Sequence, residues 1–348
     1  MSTKRINLSN CVISEDTKPF IIAEMSGNHN RSIDRALKIV ELAAKSGAHA
    51  IKLQTYTPDT MTIKGAFTIS DSKSLWNGKE LYDLYSEAFT PWEWHKQIFD
   101  YSKSLGLVPF STPFDETAVD FLETLGIEMY KIASFENTDW PLLKYVAATN
   151  KPVIMSTGAA TLSQIDEAVN ILKKHGKGEV VLLKCTSTYP ASPENTNLTT
   201  IPHMRQLFDC LVGLSDHTMG IGAAIASVAL GASVIEKHFT ISREDGGVDS
   251  AFSIEPHELE SLVVESERAY LALGKIQYGI QEDEKPNLKF KRSLFAVKDI
   301  AKGESFTSEN VKALRPATGL EPKYFDVLKT MKASRDIRAG SSLTWDNI

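Results

Sequence analysis

The chain has 348 residues, a formal net charge of −6, 42% apolar and 24% charged residues, a globular composition far from that of a disordered chain. Its acidic balance repels a nucleic-acid backbone, and its longest nearly apolar run, Ala223 to Ile235, contains Gly231 and is shorter than the ~20 residues a membrane span needs. Cys11, Cys185 and Cys210 lack C-x-x-C spacing, which argues against a disulfide framework or a cysteine zinc site, and no signal peptide is visible behind Lys4 and Arg5, so a cytoplasmic protein is expected.

Along the chain, a short β-rich run, a polar turn and an amphipathic stretch recur. The expected strands are Phe20–Glu24, Ala50–Gln54, Val108–Thr112, Met129–Ser134, Pro152–Thr157, Val180–Thr188, Leu211–His217 and Ser233–Phe239. Between them, helical spacing appears in Ile33, Leu37, Val40 and Ala44, in Trp94, Ile98 and Tyr101, in Val119, Leu122 and Leu125, and in Ile165, Val169 and Leu172. Ser32 and Thr161 stand where N-caps belong. Eight such units over about 250 residues predict an α/β fold, a closed (β/α)8 TIM barrel, with a doubly wound open sheet as its competitor. The connection from Thr55 to Pro91 is far longer than usual and carries Trp76, Tyr82 and Tyr85, so it is expected to pack and to serve as a lid or binding loop. The barrel is assigned to residues 1–274, a polar linker to 275–289 and a small C-terminal domain to 290–348. That last segment holds a repeat: Ala296, Asp299, Ile300, Gly303, Ser305, Thr307 and Asn310 recur as Ala333, Asp336, Ile337, Gly340, Ser342, Thr344 and Asn347. A pseudo-symmetric β-rich module follows from it.

A barrel's active site lies at the carboxyl ends of its strands. There the chain places Glu24; Lys52 and Gln54; Ser111 and Thr112; Lys131 and Ser134; Ser156, Thr157 and Gly158; Lys184, Thr186, Ser187 and Tyr189; Ser215, Asp216 and His217; and Glu236 and His238. Two lysines with Thr112, Ser134, Ser156 and Ser215 suit a phosphate-bearing anion. His217 and His238 end neighbouring strands and can approach one divalent ion, for which imidazole with carboxylate suits Mn, Fe, Co or Zn better than Ca. His29 is a weaker candidate, as ligand or as substrate contact. Glu24 reads either as an ion-pair partner of the lysines or as a general base. Asp216 and Glu236 read either as carboxylates orienting the histidines or as partners of Lys131 or Lys184.

The stretches FIIAEMSGNH, AIKLQTYTPD, PFSTPF, YKIASFE, VIMSTG, LLKCTSTYP, GLSDHT and VIEKHFT together resemble the sialic acid synthase family. The C-terminal repeat with VKALRP resembles the antifreeze-like (β-clip type) domain that ends those enzymes. LWNGKELYDLYSEAFTPWEWHKQIF and KCTSTYP are similar to the pseudaminic acid synthase branch, with Lys184 and Ser187 where sialic acid synthases carry a histidine and an asparagine. The resemblance implies a transferase that condenses phosphoenolpyruvate with an acetamido sugar. The branch implies 2,4-diacetamido-2,4,6-trideoxy-altropyranose; the alternative is N-acetylmannosamine or a related precursor of sialic or legionaminic acid. It further implies Glu24 as catalytic carboxylate. Lys52, Thr112, Lys131, Ser134, Ser156, Ser187 and Ser215 would hold phosphoenolpyruvate, and Gln54, Tyr189, Asp249 and Arg315 the sugar. His217 and His238 would bind Mn2+, with Mg2+ or Co2+ as substitutes. Arg315 would act from the second subunit of a domain-swapped homodimer.

Overall fold

The computed structural model describes residues 4–72 and 74–348. It opens with an antiparallel hairpin of β1 (Arg5–Asn7) and β2 (Val12–Ser14). Eight parallel strands follow: β3 (Phe20–Glu24), β4 (Ala50–Thr55), β5 (Val108–Pro113), β6 (Tyr130–Ile132), β7 (Val153–Ser156), β8 (Val180–Cys185), β9 (Leu211–Asp216) and β10 (Val234–His238). Each pairs with the next, and β10 closes on β3 with His238 beside Glu24, so the sheet is a barrel and not an open doubly wound sheet.

Helix α1 (Ile33–Lys45) follows β3, and α2 (Pro58–Met61), α3 (Leu81–Ala88) and α4 (Trp92–Ser104) follow β4. Then α5 (Glu116–Thr124), α6 (Trp140–Ala148), α7 (Leu162–His175), α8 (Thr200–Phe208), α9 (Gly222–Ala229) and α10 (Pro256–Leu273) follow β5 to β10 in turn. Ser32 and Thr161 cap α1 and α7 by accepting the Arg35 and Gln164 backbone N–H groups, which satisfies first-turn donors. The buried face of α1 is Ala36, Ile39, Val40 and Ala43, one position off the expected stripe, with Ile33, Leu37 and Ala44 at its edges. Alanines at the centre let the helix axis lie close to the sheet.

Side-chain alternation decides what the barrel encloses. Phe20, Ile22, Ala50, Val108, Phe110, Ile154, Val181, Leu183, Leu211 and Val234 point inward, and Ile6 and Ile13 of the hairpin join them. Ile21, Ala23, Ile51, Leu53, Leu182, Val212, Leu214 and Ile235 point outward to the helices. Further along each strand the inward series continues as Glu24, Lys52, Thr112, Lys131, Ser156, Cys185, Ser215 and Glu236, all buried. The interior is hydrocarbon at one end and ionic at the other.

Residues 275–348 form a second compact unit. From Glu282 the expected linker is wound as a 3-10 helix, Glu282–Phe290, started by a reciprocal Gln281–Glu284 cap and burying none of its side chains. Beyond it come β11 (Ser293–Ala296), its antiparallel partner β12 (Val311–Leu314) and the short α11 (Phe325–Leu328). The repeat is a structural one. Asp336 accepts the Lys302 backbone N–H and Asp299 accepts that of Ala339, both at 2.8 Å. Asn310 and Asn347 each accept the N–H of the threonine three residues earlier, at 2.7 and 2.8 Å. Ile300 and Ile337 exchange two backbone bonds of 2.8 Å where the copies meet.

Candidate active site

The ionic end of the barrel is built around Glu236. Its Oε1 accepts Lys131 Nζ at 3.1 Å and Ser215 Oγ at 3.2 Å, and lies 3.7 Å from Lys52 Nζ. Lys52 pairs with Glu24 Oε2 and donates to Thr112 Oγ1 at 3.3 Å. Glu24 Oε1 accepts the Ser26 N–H at 3.0 Å and the Gln54 amide at 3.3 Å. Burial pushes the Glu24 carboxyl up, against the opposing pull of Lys52. Burial acts on Glu236 too, but the Lys131 and Lys52 ammonium groups outweigh it and hold that carboxyl below the usual range. Lys52 is raised because Glu236 and Glu24 overcome its burial, whereas burial lowers Lys131. Glu236 is thus a lysine partner, one of the two readings open for it.

Beside this cluster lies a hydroxyl cradle. The Gly158 N–H donates to Ser134 Oγ at 3.2 Å, and a Cβ on Gly158 would fall 2.1 Å from Ser187 Oγ and 2.6 Å from Ser134 Oγ. Only glycine admits that approach. Cys185, absent from the expected site residues, completes the cradle: its Sγ is 3.7 Å from Ser187 Oγ and 3.9 Å from His217 Nδ1. Burial would raise this thiol, but the His217 ring and the neighbouring hydroxyls bring it down to about 6. Strand alternation was the signal for it, because Cys185 and not Lys184 has the inward parity. Lys184 turns outward and donates to the Cys185 carbonyl at 2.9 Å, which corrects its expected place at the rim.

The His217 and His238 ring centroids are 5.3 Å apart. His217 Nδ1 donates to the Thr186 carbonyl at 3.0 Å, which makes Nε2 the ring atom left for a ligand, and the Cys185 thiol and the Thr186 carbonyl outweigh burial to raise this imidazole. Burial, reinforced by the charge of His217, drives the His238 imidazole well below its ordinary value, so it is neutral. Its Nδ1 is buried without a hydrogen-bond partner among the described residues, as are Glu236 Oε2 and Ser156 Oγ, with Asp249 Oδ2 3.8 Å from that nitrogen. Orphaned buried donors and acceptors are costly, and here a cation and an anion would satisfy them together. A neutral His238 beside a His217 that gives up its Nε2 proton on binding, both flanked by carboxylates, fits a divalent ion. Among the described residues a tighter set of possible ligands is Glu255, His257 and Glu258, but Arg243 already pairs with both carboxylates there.

Asp216 does not orient a histidine: it points outward and pairs with buried Lys237 at 2.8 Å. His29 is not at the site either. It is fully buried beneath α4, against Trp94 and 3.3 Å from Thr90 Oγ1, and burial lowers it to about 4. Gln54, Tyr189, His238 and Asp249 line a cavity of about 420 Å3 that the 55–91 connection helps to enclose. Tyr189 lies 4.5 Å from the His217 ring, and Ser26 Oγ donates to Asp249. Glu136 lines the same cavity and was missed, although it closes the YKIASFE stretch; its Oε2 has no hydrogen-bond partner among the described residues, and burial raises its carboxyl to about 7. Arg315 is exposed on the second unit.

Fold and rim together define a barrel enzyme with lysines, hydroxyls and two close imidazoles gathered at the carboxyl ends of its strands. The chain belongs to the NeuB family, whose model matches residues 39–278, and a SAF domain, the antifreeze-like module, matches residues 291–348. It is 45% identical over 331 residues to a pseudaminic acid synthase of Campylobacter jejuni, covering 94% of this chain and 96% of that one. An N,N'-diacetyllegionaminic acid synthase of the same organism is 37% identical over 313 residues, 89% of this chain and 94% of that one. Among solved structures, N-acetylneuraminic acid synthetase of Leptospira borgpetersenii superposes with a TM-score of 0.74 at 33% identity, covering 83% of this chain and 96% of that one.

Proposed function

We propose that the chain condenses phosphoenolpyruvate with the open-chain form of 2,4-diacetamido-2,4,6-trideoxy-altropyranose, giving pseudaminic acid, a nine-carbon nonulosonic acid, and inorganic phosphate. One observation carries this reading: Lys52, Lys131, Thr112, Ser134, Ser156 and Ser215 converge, buried, with half-buried Ser187, next to two close imidazoles. The greater identity to a pseudaminic than to a legionaminic acid synthase supports the acceptor.

The enol phosphate sits with its anionic groups against the two lysines and the hydroxyl cradle. His217 and His238 would hold a divalent cation, Mn2+ in our reading with Mg2+ or Co2+ as substitutes, which would supply Lewis-acid polarisation of the aldehyde. C3 of phosphoenolpyruvate attacks the aldehyde carbon, forming the C–C bond, and the aldehyde oxygen takes up a proton. Water adds to the cation left at C2, and Glu24, raised by burial and steadied by Lys52, accepts its proton. The tetrahedral adduct expels phosphate with cleavage of the C–O bond as the C2 hydroxyl becomes the ketone and its proton leaves with the phosphate, while Lys52 and Lys131 stabilise the departing charge. Gln54, Tyr189, Asp249 and Glu136 hold the acceptor.

Among the described residues no helix is long and apolar enough to cross a membrane, in keeping with a cytoplasmic enzyme. Residues 1–274 hold 24 basic and 34 acidic side chains and residues 275–348 hold 14 and 10. Opposite net charges support docking of a C-terminal unit on a barrel, and the family resemblance is what assigns that barrel to a second copy, so that Arg315 meets the acceptor in a domain-swapped homodimer. The test of the reaction is incubation with phosphoenolpyruvate, Mn2+ and a panel of acetamido sugars, with products identified by mass. The 2,4-diacetamido-2,4,6-trideoxy sugar should give the highest kcat/KM. A higher value for N-acetylmannosamine or the legionaminic precursor would replace the acceptor, and no condensation with any sugar would remove the reaction.

A further inference from the structure

The cavity lined by Gln54, His238 and Asp249 is also lined by Met61, Ile69, Leu81 and Leu84, all from the single connection between β4 and α4, which adds Trp76, Tyr85 and Ser74, whose Oγ accepts the Trp76 backbone N–H. This wall is built. The Ile69 N–H donates to the Lys79 carbonyl at 2.9 Å, the Gly78 N–H returns to Ile69 at 2.7 Å, and the Leu81 N–H reaches Phe67 at 2.9 Å. The Trp76 indole N–H holds the connection to the Val248 carbonyl at 3.0 Å, and Tyr82 donates to Asp59 at 3.1 Å. Leu84 is buried beneath, and Tyr85 packs edge-on against Tyr56.

None of the four wall side chains offers a hydrogen bond. A methyl group seated against them leaves water for hydrocarbon, which is favourable, whereas a hydroxyl there gives up its water partners. We propose that Met61, Ile69, Leu81 and Leu84 are specificity-determining residues that read the methyl end of the acceptor and select a 6-deoxy sugar over its terminally hydroxylated counterpart. The inference rests on the condensation proposed above and adds the residues that choose its substrate. Apolar pockets reject an added hydroxyl by no more than about 10²-fold. A preference of roughly 10- to 10²-fold is therefore the expected size.

The test compares kcat/KM for two acetamido acceptors of identical configuration, one with a methyl and one with a hydroxymethyl at C6. Both are run on the wild type, Met61→Gln, Leu81→Gln and Met61→Leu, with thermal melts to verify folding. The wild type should prefer the methyl sugar by roughly 10- to 10²-fold. Each glutamine variant should lower that ratio by about five- to tenfold through the KM of the methyl sugar, leaving the KM of phosphoenolpyruvate unchanged, and Met61→Leu should keep it. Equal wild-type turnover of both sugars overturns the inference while leaving the condensation standing, as does an unchanged ratio in folded glutamine variants. Turnover of neither sugar removes the condensation and the inference with it.

Discussion

Glu24 and Glu236 are both buried within reach of Lys52, yet their surroundings drive them apart, Glu24 up and Glu236 down. Carboxylates separated in this way divide proton transfer from charge balance. Glu24→Gln keeps the shape and should lower kcat by about 10²- to 10⁴-fold with the KM of phosphoenolpyruvate changed less than about threefold; steady-state kinetics in both substrates decide it. Gly158→Ala should instead raise that KM, because the new methyl displaces Ser134 and Ser187, while the melting temperature moves little. Much of this was legible in the chain, since period-2 alternation assigns Lys52, Thr112, Lys131, Ser215 and Glu236 to one side of their strands. The pairings were not: nothing in the order of residues says that Glu236 takes the lysines and Asp216 takes Lys237. Cys185 was hidden by its neighbour Lys184, whose charge drew attention that its parity did not merit.

At the scale of elements, the outward pair of Asp216 and Lys237 bridges β9 and β10 one residue before His217 and His238, with Lys237 also donating to the Thr218 carbonyl at 2.8 Å. Removing one partner strands a buried charge, so Asp216→Asn or Lys237→Met alone should cost about 3–5 kcal/mol, whereas Asp216→Leu with Lys237→Met should recover most of it; urea unfolding of the three variants measures this. The eight strands and the capped helices were readable because local propensity and period agree there. The helix faces were less so. His95 lies at the centre of the buried face of α4, where its Nε2 bonds Thr55 Oγ1 at 2.8 Å and Thr55 in turn meets Ser111 at 2.6 Å. A polar network of this kind is invisible to a hydrophobic pattern, and the 55–91 connection was legible only as long and aromatic.

For the whole molecule, His29, His49 and His95 are neutral in the fold, each lowered to about 4 chiefly by burial. His29 and His49 each accept a backbone N–H through Nδ1, a bond that protonation would break. In the unfolded chain these rings titrate near 6.5, so between about 4 and 6.5 the unfolded state binds more protons. Stability should be whole above pH 6.5 and fall as pH drops toward 4, by up to about 1.4 kcal/mol per pH unit for each ring. Urea midpoints between pH 7.5 and 5 should show it, and His49→Gln should flatten the slope. The proposed exchange of C-terminal units makes a separate prediction. Glu24→Gln and Arg315→Ala homodimers, each impaired, should regain activity when unfolded and refolded together, because some mixed dimers then hold one intact site; no gain over the separate proteins would place Arg315 outside the partner's site. The reaction itself is tested most directly with phosphoenolpyruvate carrying 18O in its bridging oxygen, incubated with Mn2+ and the trideoxy acceptor. One labelled phosphate should be released for each nine-carbon acid formed. Label kept at C2 of the product, or phosphate released without acceptor, would contradict it.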